Sequence, residues 1–261
     1  MKIKIKAAAK LNLNLKVGKK RSDGFHPIES IMQSINLCDY ITLTLNKSEK
    51  ITLSGNSDLI SYDEKNLVWR AIEAYFEELG EMMFGIDAYI EKNIPTEAGL
   101  AGGSTDAAAT ILGLNVLLNE PFSKEELHKI CATLGSDINF CLEGGTKKCL
   151  GRGEILENAE YTPKTYTLVK PKNFGVSTKE AYALFDELTE PSNLDNDLEF
   201  AIIKKYKNLE ELHNLGFKMT GSGSVFFKEG SLPQNFDREN YEIYENIETL
   251  EHGVVVENLE I

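Results

Sequence analysis

The segment Pro95-Thr96-Glu97-Ala98-Gly99-Leu100-Ala101-Gly102-Gly103-Ser104-Thr105-Asp106 places three glycines ahead of a long apolar run with helical spacing. Glycine lets the backbone approach a ligand closely and turn through conformations closed to other residues. A helix opening here would aim free N–H groups and the positive end of its dipole at an anion. Ser104 and Thr105 would add hydroxyl donors. In physical terms this is a phosphate cradle, although it is not a Walker A loop and contains no G-x-G-x-x-G. A tight strand-to-helix turn of small residues, chosen for packing, would explain the same letters.

Gly135-Ser136-Asp137 sets a carboxylate at a helix start. Asp is a good N-cap, so a structural role competes with a chemical one, in which it accepts a proton from a hydroxyl nucleophile. Lys10 follows three alanines at an apparent strand junction, from which it could turn inward and pair with such a carboxylate. His26 lies in Asp23-Gly24-Phe25-His26, where an imidazole beside an aromatic ring suits a planar polar ligand and Asp-Gly by itself suits a hairpin turn. His128, His213 and His252 fall on amphipathic or terminal elements and read as surface residues. No HExxH, nucleophile elbow or EF-hand pattern is present.

The elements that must position these groups follow from periodicity. Residues 2–9 and 11–17 alternate as two strands, and 40–45 with 51–53 as a further hairpin. A helix is expected over 66–79 with Gly80 as its stop, and a strand over 86–90. The glycine turn opens a helix over 104–118. Ser123 and Glu126 have capping-box spacing for the next one, and a short helix follows over 138–142. Gly144-Gly145 through Gly151-Arg152-Gly153 reads as punctuation. The second half holds a strand (166–170), helices (178–188, 197–206, 209–215), the segment 217–220, the turn Gly221-Ser222-Gly223-Ser224 and strands near 225–228, 242–246 and 253–257. This mixture without strict βαβ alternation points to an α+β fold. A division into residues 1–155 and 156–261 is expected at the glycine-rich stretch.

The chain has 261 residues, 42% of them hydrophobic, and a net charge of −13. That balance argues against a general nucleic-acid binder or a polybasic membrane binder. The charge is uneven. Residues 1–21 hold eight Lys and Arg and no acid, leaving 20 Lys and Arg against 41 Asp and Glu, a net of −21, in the other 240. One basic edge on an acidic body can draw a small polyanion locally. Cys38, Cys131, Cys141 and Cys149 form no CxxC pair and read as buried or incidental thiols of a reducing compartment. With no apolar run of membrane-spanning length, the expected location is cytoplasmic.

Read together and in this order, Lys10-Leu11-Asn12-Leu13, the 95–106 loop, Gly135-Ser136-Asp137 and Met219-Thr220-Gly221-Ser222-Gly223 resemble the GHMP-superfamily kinases. Ala9-Lys10-Leu11-Asn12-Leu13, Arg21-Ser22-Asp23-Gly24-Phe25-His26 and Gly135-Ser136-Asp137-Ile138-Asn139-Phe140 are similar to the branch that acts on 4-diphosphocytidyl-2-C-methyl-D-erythritol. The resemblance runs from about residue 6 to residue 228.

It implies a two-domain GHMP kinase fold with the active site in the cleft between domains, and phosphoryl transfer from ATP with Mg²⁺ to the C2 hydroxyl of that cytidyl diphosphate. By the same resemblance Asp137 is the base and Lys10 its partner, and Asn12 holds the methylerythritol portion. His26 bonds the cytosine, with Tyr182 and Phe25 as its aromatic neighbours. Pro95, Gly99, Leu100, Ala101, Gly102, Gly103, Ser104 and Thr105 surround the triphosphate, Asn66 lies near adenine, and Gly221 and Ser222 line the substrate side. No Mg²⁺ ligand is assigned. Ala101 stands where glycine is usual in this family, and Phe25 where tyrosine is common. The competing readings are a homoserine-type or mevalonate-type kinase of the same superfamily, and a non-catalytic nucleotide-dependent sensor.

Overall fold

Ile3, Ile5, Ala7, Ala9 and Leu11 are fully buried at every second position of one strand, β1 (Lys2–Asn12), in a computed structural model that describes residues 1–48, 50–80 and 84–260. The periodicity suggested a break after Ala9 and a second strand over 11–17. Instead pairing continues through Lys10 to Asn12, and only β2 (Lys16–Val17) remains beyond it. Its partner, the 19-residue β3 (Ile28–Asn46), absorbs the irregularity as a bulge, because Ala8 pairs with Cys38 but Ala9 with Ile35. At that step the buried side chains pass from one core to another: Ile3, Ile5 and Ala7 enter the larger cluster, Ala9 and Leu11 a smaller one. Lys10 therefore lies inside a strand and is buried.

β4 (Ile51–Gly55), α1 (Leu67–Leu79) and β5 (Gly85–Glu91) follow. The expected hairpin between residues 40–45 and 51–53 does not form, because β5 lies between them, antiparallel to β3 and parallel to β4. Alternation marks a strand without naming its neighbour, and the parallel pair needs the crossover that α1 supplies. Asn66 caps α1 by accepting from Val68 N, and Gly80 stops it at a φ of 94°.

α2 (Gly102–Leu117) is apolar on nearly all sides, as a helix buried beneath a sheet must be. It packs on β1, β3 and α1. Ser123 and Glu126 form the capping box of α3 (Lys124–Leu134), and α4 (Ile138–Glu143) follows. The glycine-rich stretch after α4 is more than punctuation: it holds β6 (Thr146–Leu150), paired with β3, and β7 (Ile155–Asn158), paired with β6.

A second sheet is built from β8 (Thr165–Pro171), β9 (Lys218–Met219), β10 (Phe226–Glu229) and β11 (Tyr241–Glu248), in the order β11-β8-β10-β9. Between β8 and β9 lie α5 (Thr178–Asp186), α6 (Asp197–Lys205) and α7 (Lys207–Asn214). The last strand, β12 (Val254–Glu260), leaves this sheet and pairs with β1 at the edge of the first, so the chain end returns across the boundary expected near 155. The architecture is α+β. The smaller core joins the two sheets behind the glycine loop, where Leu168, Val225 and Phe227 meet Ala9, Leu11, Ile94, Ala98 and Leu100. No described helix is long and apolar enough to cross a membrane.

Candidate active site

Lys10 and Asp137 meet in a cleft of about 1120 Å³ that receives residues from both halves of the chain. Lys10 Nζ lies 3.6 Å from Asp137 Oδ2, and donates to Asn12 Oδ1 at 2.6 Å and to the Gly99 carbonyl at 2.8 Å. The first of these contacts follows from strand geometry, since residues two apart in β1 share a face. Asn12 passes its own amide on to Ser30 Oγ at 2.8 Å, and Ser30 donates to the Asn14 carbonyl. Asp137 occupies the N-cap position of α4, yet its side chain caps nothing. Its carboxylate therefore faces Lys10 and the cleft, free of the capping role that its position suggests.

The glycine loop opens α2 as its composition requires. The amides of Gly102, Gly103 and Ser104 belong to the first turn, where no intrahelical acceptor exists. Ala101 adopts the left-handed region, φ 60°, as the residue before the helix, and its methyl packs toward the larger core. Gly99 is required by contact as well as by φ: a Cβ there would lie 2.2 Å from the Thr220 carbonyl oxygen. The loop is also laced to the turn after β9, because Ser224 N and Val225 N donate to the Glu97 and Ala98 carbonyls. Pro95 and Leu100 line the cleft; the Leu100 carbonyl accepts from Lys10 N. Thr105 does not reach the cleft. Its side chain is fully buried on the inner face of α2 and its N–H is spent on the Ala101 carbonyl, so it offers neither donor to a ligand.

Asn66 lines the same cleft beside Ile60, Ser61 and Leu67, with its Oδ1 engaged in capping and its Nδ2 donated to the Ser61 carbonyl at 2.7 Å. On the other side, Gly221 (φ 55°) presses on Lys10 and Asn12; a Cβ there would come within 3.1 Å of Lys10 Nζ. Ser222 Oγ lies 3.1 Å from Thr178 Oγ1 at the start of α5.

His26 is buried, its Nδ1 2.9 Å from the Gly18 carbonyl and its Nε2 3.2 Å from Asp186 Oδ1, without hydrogen-bond alignment to the latter. Tyr182 packs beside it with ring centroids 5.2 Å apart, and Phe185 meets it edge-on. Burial, with the nearby Asp137 charge adding to it, pushes the Tyr182 phenol up to about 12. The Lys20 ammonium, joined by His26, holds the Asp186 carboxyl below the usual carboxylate range. Phe25 is half exposed at the rim, with the Arg152 guanidinium 5.0 Å from its ring centroid.

Several residues here escape sequence reading. Asp186, Phe185 and Arg152 join the His26 pocket from segments more than a hundred residues away. Asn196 caps α6 and donates to the Met219 and Gly221 carbonyls, and buried Glu199 accepts from Met219 N, so both hold the 219–223 turn. Lys92 bridges Asp39 and Asp106 at the cleft wall beside the loop. Two of these carried a readable signal: Asp39 interrupts a strand, and Asp106 is the single charge in α2, and a buried carboxylate needs a partner.

Residues 66–145 match the family described as the GHMP kinases N terminal domain. The chain is 41% identical over 254 residues to the 4-diphosphocytidyl-2-C-methyl-D-erythritol kinase of Thermoanaerobacter pseudethanolicus, covering 87% of this chain and 86% of that one. It is 35% identical over 266 residues to the enzyme of the same name from Clostridium tetani, covering 91% and 94%. Among solved structures, a 4-(cytidine 5'-diphospho)-2C-methyl-D-erythritol kinase superposes with a TM-score of 0.73 at 26% identity, covering 95% of this chain and 99% of that one. A homoserine kinase from Cytophaga hutchinsonii superposes at 0.71 with 19% identity, over 98% and 97%, a likeness of fold alone.

Proposed function

The chain belongs to the 4-diphosphocytidyl-2-C-methyl-D-erythritol kinases, a branch of the GHMP kinases, and from that premise we propose that its cleft transfers the γ-phosphoryl group of ATP to the C2 hydroxyl of the cytidyl alcohol. The observation that carries this reading is the Lys10–Asp137 pair, set between the open first turn of α2 and the His26–Tyr182 pocket within one cleft.

The triphosphate lies along Gly99–Ser104, with the amides of the first turn of α2 and its dipole facing the phosphate oxygens. Across the cleft the cytosine ring meets His26, Tyr182 and Phe25, and Asn12, Gly221 and Ser222 border the sugar alcohol. Asn66 borders the adenine. The hydroxyl oxygen attacks the γ-phosphorus in line as the bond to the ADP oxygen breaks, and the hydroxyl proton passes to the Asp137 carboxylate. Such a transition state is loose, so placement and charge stabilisation matter more than base strength. Lys10 serves both, because it holds the loop through the Gly99 carbonyl and stands beside the base. Among the described residues no three His, Cys, Asp or Glu side chains converge as metal ligands. Mg²⁺ enters with the nucleotide as part of the MgATP substrate.

The test is ADP release by the purified protein with MgATP and, in parallel, diphosphocytidyl methylerythritol, mevalonate, homoserine and galactose. Turnover with the cytidyl alcohol alone is expected. Turnover only with another alcohol would keep the Lys10–Asp137 chemistry and overturn the nucleobase pocket.

A further inference from the structure

Three titratable side chains are buried together beside the glycine loop, and two of them, Lys92 and Asp106, also border the cleft. Lys92, which follows β5, turns its ammonium to the Asp39 carboxylate of β3 and to Asp106 Oδ2 of α2, the latter at 2.8 Å. The side chains of Lys92, Asp39 and Asp106 are 7%, 0% and 5% exposed. The second oxygen of Asp39 accepts the amides of Asn93 at 2.6 Å and Ile94 at 2.8 Å. The ammonium also lies against the very start of α2, since a Cβ on Gly102 would be 3.1 Å from Lys92 Nζ.

We propose that Lys92 is a positioning residue for the nucleotide phosphates: through Asp106 it holds the opening turns of α2, and through Asp39 it holds the Asn93–Ile94 backbone from which the glycine loop departs. The two ends of the loop are thereby fixed to one ammonium, and the Gly102–Ser104 amides keep their place opposite Lys10 and Asp137. Packing alone would not call for this arrangement, because well-packed apolar side chains generally serve stability as well as a buried ion pair does. Fixed geometry is what the charges supply, since the ammonium meets both carboxyl groups in one arrangement only. Although Lys92 borders the cleft, its ammonium is committed to two carboxyl groups and is not a free charge on the phosphates. It acts through placement, to which in-line transfer is sensitive at the scale of an ångström.

The proposal rests on the reading of this loop as the ATP phosphate site. Lys92→Met alone strands the buried Asp39 carboxylate, takes away the partner of Asp106 and endangers the fold. The informative variant is Lys92→Met/Asp39→Asn, which removes one charge of each sign and keeps an acceptor for the Asn93 and Ile94 amides. Thermal denaturation establishes that it folds, and steady-state ADP release separates the KM for ATP from the KM for the cytidyl alcohol. The expected result is a KM for ATP raised about tenfold or more with the alcohol's KM within about twofold. Asp106→Ala, which severs only the link to α2, is read by the same split and should raise the KM for ATP severalfold even if the double variant does not fold. An unchanged KM for ATP, or a parallel rise in both KM values, overturns the proposal. An inactive wild-type protein would overturn the phosphotransfer reading and this proposal with it, whereas an active wild type whose variants keep their KM for ATP overturns this proposal alone.

Discussion

Lys10 makes its shorter contacts to Asn12 and to the Gly99 carbonyl, and its longer one, 3.6 Å, to Asp137. The ammonium is thus anchored independently of the carboxylate, and replacing Asp137 should not release it. Asp137→Asn preserves size and removes the proton acceptor. Calorimetric titration should find ATP binding near wild type, while kcat for ADP release falls by about 10²-fold or more; near-normal turnover would dismiss Asp137 as the base. His26→Ala tests the opposite side of the cleft. It removes the ring that packs on Tyr182 and bonds Gly18, so the KM for the cytidyl alcohol should rise while that for ATP holds. A rise in the ATP value alone would exchange the two base pockets. The candidates Lys10, His26 and Asp137 were visible as unusual residues in short motifs, but Asp186 and Arg152 were not. Nothing local marks an aspartate near a helix end or an arginine between glycines as the neighbour of a histidine at position 26.

The helix that carries the proposed phosphate site depends on two residues before it, and their backbone conformations make opposite predictions. Ala101 holds a φ of 60° that costs an L-residue about 1–2 kcal/mol relative to glycine. Part of that gain is offset by the freedom glycine adds to the unfolded chain. Ala101→Gly should therefore raise Tm by about 2 °C with the KM for ATP unchanged. Gly99→Ala faces both a φ of 71° and a Cβ placed 2.2 Å from the Thr220 carbonyl oxygen. The loop or the 220–223 turn must move, so Tm should drop by several degrees and the KM for ATP should rise. Differential scanning calorimetry and ADP-release kinetics check both, and a Gly99→Ala protein as stable as wild type would refute the close approach. The caps of α1 and α3 lay open in the sequence because a cap is decided within three residues. The expected pairing of 40–45 with 51–53 failed because alternation specifies which face is buried and leaves the neighbouring strand undetermined.

For the whole molecule, the buried Lys92–Asp39–Asp106 cluster links stability to pH. Burial pushes the Asp106 carboxyl up to about 8 against the pull of Lys92, from an ordinary value of 3.8. Between those values the folded protein holds a proton that the unfolded chain has released, so this group's contribution to stability is full below about pH 4 and is lost progressively as the pH rises to about 8. Asp106→Asn has no proton to lose. Its Tm relative to wild type should therefore climb between about pH 5 and about pH 8, as measured by thermal denaturation across that range. A difference that stays flat, or falls, would contradict the raised value. The four-stranded sheet, the return of β12 to β1 and the joining of both sheets through the smaller core all belong to this scale. The sequence by itself determined the family through its ordered motifs, the mixed α+β class, the helices with the Gly80 stop and the Ser123–Glu126 capping box, and the glycine turn ahead of α2. The tertiary structure alone decided that β5 separates β3 from β4, that Thr105 turns inward, that Asp137 leaves its cap unused for Lys10, and that Lys92 holds two carboxylates. The division has a physical cause. Caps, turns and periodicity act over a few residues and are written locally, whereas strand order and ion pairing depend on burial summed over segments far apart in the chain.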